Sequence, residues 1–338
     1  MKKTTAFSVN WVLFAFLSIL AFSVMVLPGT TAAGDKIVMK FGHVGPPGNP
    51  YDLGAKEFAK KVAEKTKGAI EIKIYPAGQL GEDRDLAEGV QLGSVEIAFP
   101  SNAVMTRYVP QTMLFELPFL FRDDDHWEKV VDGPIGKELA EQFKAKGFYL
   151  LAWVDGGWRG PYTRRPISKL EDIKGMKFRT MESPMHIAIY EALGARGVPM
   201  SSKEQYSALQ QGVIDGGDSP WIWYKQLRHY EIAKYLTTLP LFKLNTVHIM
   251  STKVAANLSP DLLQAMNEAA RDATLYQRKV QRELDSRLLE ELKKEGVQVY
   301  TFPPEEREKF VKAVASVWKK YEAEVGGKSK IDAVLNTK

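Results

Sequence analysis

One stretch constrains the fold more than any other: SPDLLQAMNEAARDATLYQRKVQRELDSRLLEELKKEG, residues 259–296. Ser259 suits a helix N-cap, Pro260 a first turn and Gly296 a stop. Between them Leu262, Met266, Ala269, Ala273, Tyr276, Val280, Leu284, Leu288 and Leu292 recur at helical spacing, with charges elsewhere. Roughly thirty-five residues at 1.5 Å each make a rod of about 50 Å. That exceeds the width of one small lobe. Such a helix either runs along two lobes or protrudes as a coiled coil, and one narrow stripe without sustained heptads favours the first.

The N-terminus points to export. Lys2 and Lys3 precede an uncharged run from Trp11 to Leu27, then Pro28, Gly29 and the small residues TTAAG. This is the layout of a secretory signal peptide, residues 1–33, with cleavage expected after Ala33. An uncleaved anchor is the competing reading, because the run reaches the lower limit for spanning a bilayer. No later segment is apolar for long enough to span one. The chain has no cysteine, which excludes disulfides, thiolate metal sites, a catalytic thiol and lipoprotein attachment. The remaining chain, about 305 residues, exceeds what one core usually serves, so two lobes are expected. The formal charge of +5 falls to +3 without Lys2 and Lys3, and no basic or arginine-aromatic tract suggests nucleic acid. A mild positive bias suits an anionic small ligand.

The rest alternates strands and helices. IVMKFGHV (37–44), AIEIKIYP (69–76) and SVEIAFP (94–100) read as strands. A helix over 53–67, with Leu53, Phe58, Val62 and Ala63 on one face, and a shorter one over 83–92 lie between them. YLLAWVD (149–155) and GMKFRT (175–180) are further strands, and SPMHIAIYEALGA (183–195) is a helix. The pattern implies an open, largely parallel sheet covered by helices, which binds ligands beyond its strand carboxyl ends. VQLGSVEIA (90–98) is echoed by YSALQQGVIDGG (206–217): Gln91, Gly93, Val95 and Glu96 align with Gln210, Gly212, Ile214 and Asp215. The echo predicts two lobes built on one helix–glycine–strand unit. A last capped helix is expected over 303–325, with Phe310, Val314, Val317, Trp318 and Tyr321 as its stripe.

Catalytic and metal motifs are missing from the sequence. The histidines (43, 126, 186, 229, 248) are scattered, and no GxSxG, phosphate-loop or GxGxxG pattern occurs. Ser219 beside Asp218 in GGDSPW could be a nucleophile, but no histidine partner is indicated. Asp123–Asp125 reads as the cap of a helix starting near His126 rather than a cation site. Two arginines stand out. Arg179 lies on the KFRT strand, and Arg159 sits between glycine and aromatic residues in GGWRGPY. Alone, either could be a solvated side chain. Together beside a cleft they could present planar forks to one carboxylate or sulfonate. Trp158, Trp221 and Trp223 could wall such a pocket.

These residues also match a family. YPAGQLGEDRDL, LPFLF, DIKGMKFRTMESPMHIAIYEALGARGVPMSSKEQYSALQQGVIDGGDSP, HYEIAKYL and the long helix after LSPDLL resemble, in order from about residue 36 to 332, the periplasmic solute-binding subunits of TRAP (tripartite ATP-independent periplasmic) transporters of the DctP type. The resemblance implies an α/β, two-lobe periplasmic-binding-protein-like fold with the long helix spanning both lobes. It places lobe I at 35–156 plus 245–284 and lobe II at 157–244 plus 285–338. It also implies a periplasmic monomer without cofactor or metal, which captures an organic acid such as a dicarboxylate and delivers it to the TRAP membrane permease. Arg179 matches the main carboxylate ligand and Arg159 the second. Ser219 stands where the family has an asparagine, Asp218 where it has a glutamate, and Ser202 where a pocket aromatic is common. From the facing lobe the resemblance brings His43 to Gly45 (with Val44), Asp83, Arg84 and Pro100 to Asn102 to the cleft, with Trp221 nearby. The departures argue for the same anion clamp around a differently shaped remainder. An exported sensory binding protein and a secreted hydrolase using Ser219 are the alternative functions.

Overall fold

The computed structural model describes residues 36–338, so the expected signal peptide and its cleavage site lie outside the described residues. Ten strands form one mixed sheet: β1 (Ile37–His43), β2 (Ile70–Tyr75), β3 (Ile97–Phe99), β4 (Phe148–Thr163), β5 (Lys177–Thr180), β6 (Arg196–Pro199), β7 (Gly216–Ser219), β8 (Tyr235–Thr237), β9 (Phe242–Ser251) and β10 (Gln298–Tyr300). The main order is β2-β1-β3-β9-β4-β7-β5-β6, with β8 joining β4 to β10. Each flank is parallel, as alternating strands and helices require. The centre is antiparallel, because the long strands β4 and β9 run against each other from Phe148↔Ser251 to Arg159↔Phe242. The expected largely parallel sheet is therefore two parallel triplets, β2-β1-β3 and β6-β5-β7, joined by two antiparallel through-strands.

The helix–glycine–strand echo is structural. Gly93 and Gly212 both end a helix with left-handed backbone, φ 85° and 72°. Three residues on, Glu96 accepts a hydrogen bond from the Lys40 backbone at 2.7 Å, and Asp215 accepts one from the Lys177 backbone at 2.8 Å. Each acid thus ties the end of one unit to a neighbouring strand, β1 or β5.

Helices cover both faces of the sheet. One apolar layer draws on the helices Asp83–Leu92, Asp124–Asp132, Pro134–Lys144 and Pro184–Ala192 and on the C-terminal helices. The other draws on Pro50–Lys65, Ser202–Gln210, Trp221–Gln226 and the long helix Pro260–Lys294. Asp123 caps its helix by accepting from the His126 backbone at 2.7 Å. The helix expected over 303–325 is two segments, Pro304–Ala313 and Ala315–Tyr321, interrupted at Val314.

The long helix lies along the molecule. Ala269, Ala270 and Ala273 are buried with the helix Pro50–Lys65, where Gly54 lets Gln277 approach: a Cβ on Gly54 would stand 2.9 Å from it. At the far end Leu288 and Leu292 are buried, and Glu291 pairs with Lys225 at 2.7 Å. The apolar stripe does not hold through the middle, where Leu275 and Tyr276 are exposed and Gln277, Arg278 and Gln281 are buried instead. These polar side chains serve β4. Gln277 bonds both the backbone N–H and the carbonyl of Asp155, while Arg278 bonds the Trp153 carbonyl and forks onto Asp132. β4 slips register between Asp155 and Trp158, and the backbone groups this leaves need such partners.

The final helix, Lys328–Leu335, returns to residues 122–138. His126 bonds the Val334 carbonyl, Arg122 donates to the carbonyls of Leu335 and Thr337, and Lys330 pairs with Glu138. Among the described residues, no helix is long and apolar enough to cross a membrane.

Candidate ligand-binding site

Strand register assembles the site. β7 lies between β4 and β5, with Gly217 opposite both Tyr162 and Arg179. The same register sets Asp218 opposite Pro161 and Ser219 opposite Gly160, so Asp218 arrives beside Arg159. Glycine is required at 217, because a Cβ there would come within 2.6 Å of Gln205 and 2.9 Å of the Tyr162 hydroxyl. Those two side chains bond each other, and Tyr162 reaches His229 Nδ1 at 2.9 Å. This network stiffens the floor from which Arg179 projects.

The two arginines differ in state. Arg159 is buried and donates Nε to the Asp218 carboxylate and Nη2 to the Asp218 carbonyl. Its charge is largely balanced within the protein. Arg179 is 6% exposed, and its Nε and Nη2 donate to the Met200 carbonyl at 3.0 and 2.9 Å. Among the described residues no carboxylate pairs with it. Burial, and then the charge of Arg159, lower its pKa from the usual range. A buried guanidinium in that position attracts an anion.

Around Arg179 lies a cavity of about 60 Å³, room for roughly four to six waters. Val44, Asp83, Arg159, Arg179, Ser202 and Ser219, all anticipated, line it. Ser101 and Trp223, also anticipated, line it as well, whereas Gly45, Arg84, Pro100, Asn102, Asp218 and Trp221 do not. Asn102 is buried and spends its amide on the Thr112 carbonyl and Glu116, and Asp218 faces Arg159. Arg84 stands at the mouth, 3.6 Å from Glu182. Pro100 is tied to β9, its carbonyl accepting from Val247, and Gly45 accepts from Ala77. Trp223 is the tryptophan that reaches the cavity, meeting Tyr51 edge-on at 5.1 Å. Trp221 packs into the adjoining core, and Trp158 donates to Asp124. Sequence reasoning missed Tyr51, Gln205, Met181 and Met200. No local motif marks them, because long-range pairing brings them in.

Side chains from the two flanks of the sheet meet at the mouth. Glu82 accepts from Ser202 at 3.0 Å and pairs with Lys203 at 3.1 Å, and Lys203 also donates to the Gly78 carbonyl. Asn49 donates to Gln226 at 2.8 Å. Asp83 sits just inside, where burial pushes its carboxyl up to about 6. Among the described residues, no cluster of acids and histidines is arranged to hold a metal.

Comparisons with known proteins show the family. The family described as bacterial extracellular solute-binding protein, family 7 (DctP) matches residues 41–324. A solute-binding protein of Verminephrobacter eiseniae is 34% identical over 270 residues, 80% of each chain. The TRAP periplasmic solute-binding protein of Polaromonas sp. JS666, solved with D-erythronate, superposes with a TM-score of 0.86 at 33% identity, covering 90% of this chain and 99% of that one. Its counterpart from Sulfurospirillum deleyianum, solved with succinate, gives 0.85 at 34% identity over the same shares. On this match of sequence and fold, the chain belongs to the family 7 extracellular solute-binding proteins, the periplasmic binding subunits of TRAP transporters.

Proposed function

We propose that this protein captures an organic acid anion at Arg179, closes on it in the periplasm as a monomer, and hands it to a TRAP membrane permease. The observation that carries the reading is the buried Arg179 without an acid partner: two donors are held by the Met200 carbonyl while the guanidinium lines the cavity. A ligand carboxylate or sulfonate completes that fork. Arg159, already paired with Asp218, assists by shaping the seat and offering its remaining N–H groups. The relatives solved with D-erythronate and succinate support an organic acid as the guest. The protein is a binder in this reading, not an enzyme.

We divide the lobes at the register slip of β4. Lobe I takes residues 35–156 and 245–284, and lobe II takes 157–244 and 285 onward, with the last helix rejoining lobe I through residues 122–138. A ligand holds such lobes together only by binding the closed form more tightly than the open one.

The test is a thermal-shift titration against small organic acids. Arg179→Ala should abolish the ligand-dependent shift, a loss of about 1.5–3 kcal/mol for the charged hydrogen bonds. Arg179→Lys should retain a weakened one, because an ammonium lacks the planar fork. Unchanged shifts in both variants would refute the assignment.

A further inference from the structure

The charged residues lining the cavity can be paired off. Arg159 is balanced by Asp218, Glu82 by Lys203, and Glu182 lies 3.6 Å from Arg84. Two charges are left, one of each sign: Arg179 and Asp83. They come from opposite flanks of the sheet, Arg179 from β5 and Asp83 from the first turn of the helix Asp83–Leu92. Asp83 Oδ1 and Ser101 Oγ, which also lines the cavity, are out of solvent and make no regular hydrogen bond among the described residues. The hydroxyl and backbone N–H of Ser101 stand near the Asp83 carboxyl and only partly oppose the effect of its burial. A buried acceptor left bare calls for a donor from a guest.

Resting on the organic-acid reading above, we propose that the cavity selects a hydroxy acid bearing a single carboxylate, and that Asp83 is the residue that rejects a second one. The carboxylate completes the Arg179 fork, and a ligand hydroxyl donates to Asp83 Oδ1. Ser101, Ser201, Ser202 and Ser219 line the remaining wall and match further hydroxyls rather than charge. A dicarboxylate of similar length would set its far carboxylate against Asp83 in a site shielded from water, where like charges repel strongly. Kinship does not make this choice, since relatives at 33% and 34% identity hold a hydroxy monoacid and a dicarboxylate respectively. The charge balance of this cavity does.

The test is calorimetric titration of the purified protein at pH 8, where Asp83 is ionised. One series comprises hydroxy monocarboxylates of three to six carbons, including D-erythronate, and the other comprises dicarboxylates of the same lengths, including succinate. The monoacids should bind at least tenfold more tightly. Asp83→Asn should narrow that gap at least fivefold by admitting dicarboxylates, and Asp83→Glu should preserve it. A gap unchanged in Asp83→Asn, or dicarboxylates winning in the unaltered protein while Arg179→Ala still abolishes binding, overturns the selection and leaves the anion seat standing. Binding of neither series, or binding indifferent to Arg179→Ala, overturns the seat as well.

Discussion

Arg159 and Arg179 show how residue type and residue state part company. Both guanidiniums are buried, yet one is neutralised by Asp218 and the other is held only by a carbonyl. The buried histidines make a similar point. His248 is surrounded by Phe41, Phe58 and Phe99, and neither ring nitrogen has a partner among the described residues. Burial lowers its pKa to about 3, that of His229 to about 3 and that of His43 to about 4. Above pH 6.5 both folded and unfolded chains leave these rings neutral. Below it the unfolded chain takes up protons that the folded one refuses, so stability falls until the folded pKa is reached. Asp83 and Asp285, pushed up to about 6 and about 7 by burial, act oppositely and offset part of the loss between pH 7 and 4. His248→Phe should therefore recover about 2 kcal/mol of the stability lost between pH 7 and 5. Urea denaturation at both pH values measures it, and an unaltered pH dependence would contradict a neutral His248.

At the scale of elements, the register slip in β4 sets the geometry of the site. Gly156 and Gly157 occupy it, and a Cβ on Gly156 would stand 2.4 Å from Leu244. Gly157 has φ 94°, and a Cβ there would come within 2.8 Å of Pro220, the residue after Ser219. Beyond the slip β4 stays paired with β9 through Arg159 and pairs with β7 from Gly160 onward, which sets Arg159 beside Asp218. Gly157→Ala is expected to cost about 1–3 kcal/mol of folding stability and to weaken anion binding, because relief of the clash displaces the end of β7. Urea midpoints and ligand titration read the two effects separately. A variant with wild-type affinity would remove the slip from the account of the site. The polar middle of the long helix belongs to the same device, since Gln277 and Arg278 satisfy the β4 backbone there.

Across the whole molecule, the proposed closure would rest on contacts between the two flanks. Lys203 reaches both Glu82 and the Gly78 carbonyl, and Arg84 faces Glu182. Such exposed pairs add little to folding. In the proposed closing motion they would form only with the mouth shut, which would place their effect in the rate of ligand release. The double variant Lys203→Ala with Arg84→Ala should keep its ligand-free melting temperature while releasing ligand roughly two- to tenfold faster. Stopped-flow displacement measures this, and an unchanged release rate would mean that the cavity alone holds the closed form.

Much of this was written locally. The caps and spacing of residues 259–296 dictated a helix of two-lobe length, and the Gly93 and Gly212 units announced their own duplication, because helix periodicity and left-handed glycine are properties of neighbouring residues. The site was legible only in part. Arg179 could be named from its strand, but nothing near Arg159 in sequence reveals that Asp218, fifty-nine residues on, neutralises it. Nor does local pattern explain why polar side chains interrupt the stripe of the long helix, or why Gln205 and Tyr51 join the cavity. Sequence by itself determined the elements and the kind of charge available. Tertiary structure alone decided which charges cancel and which remain for a guest, because cancellation depends on distances of a few ångströms between strands far apart in the chain.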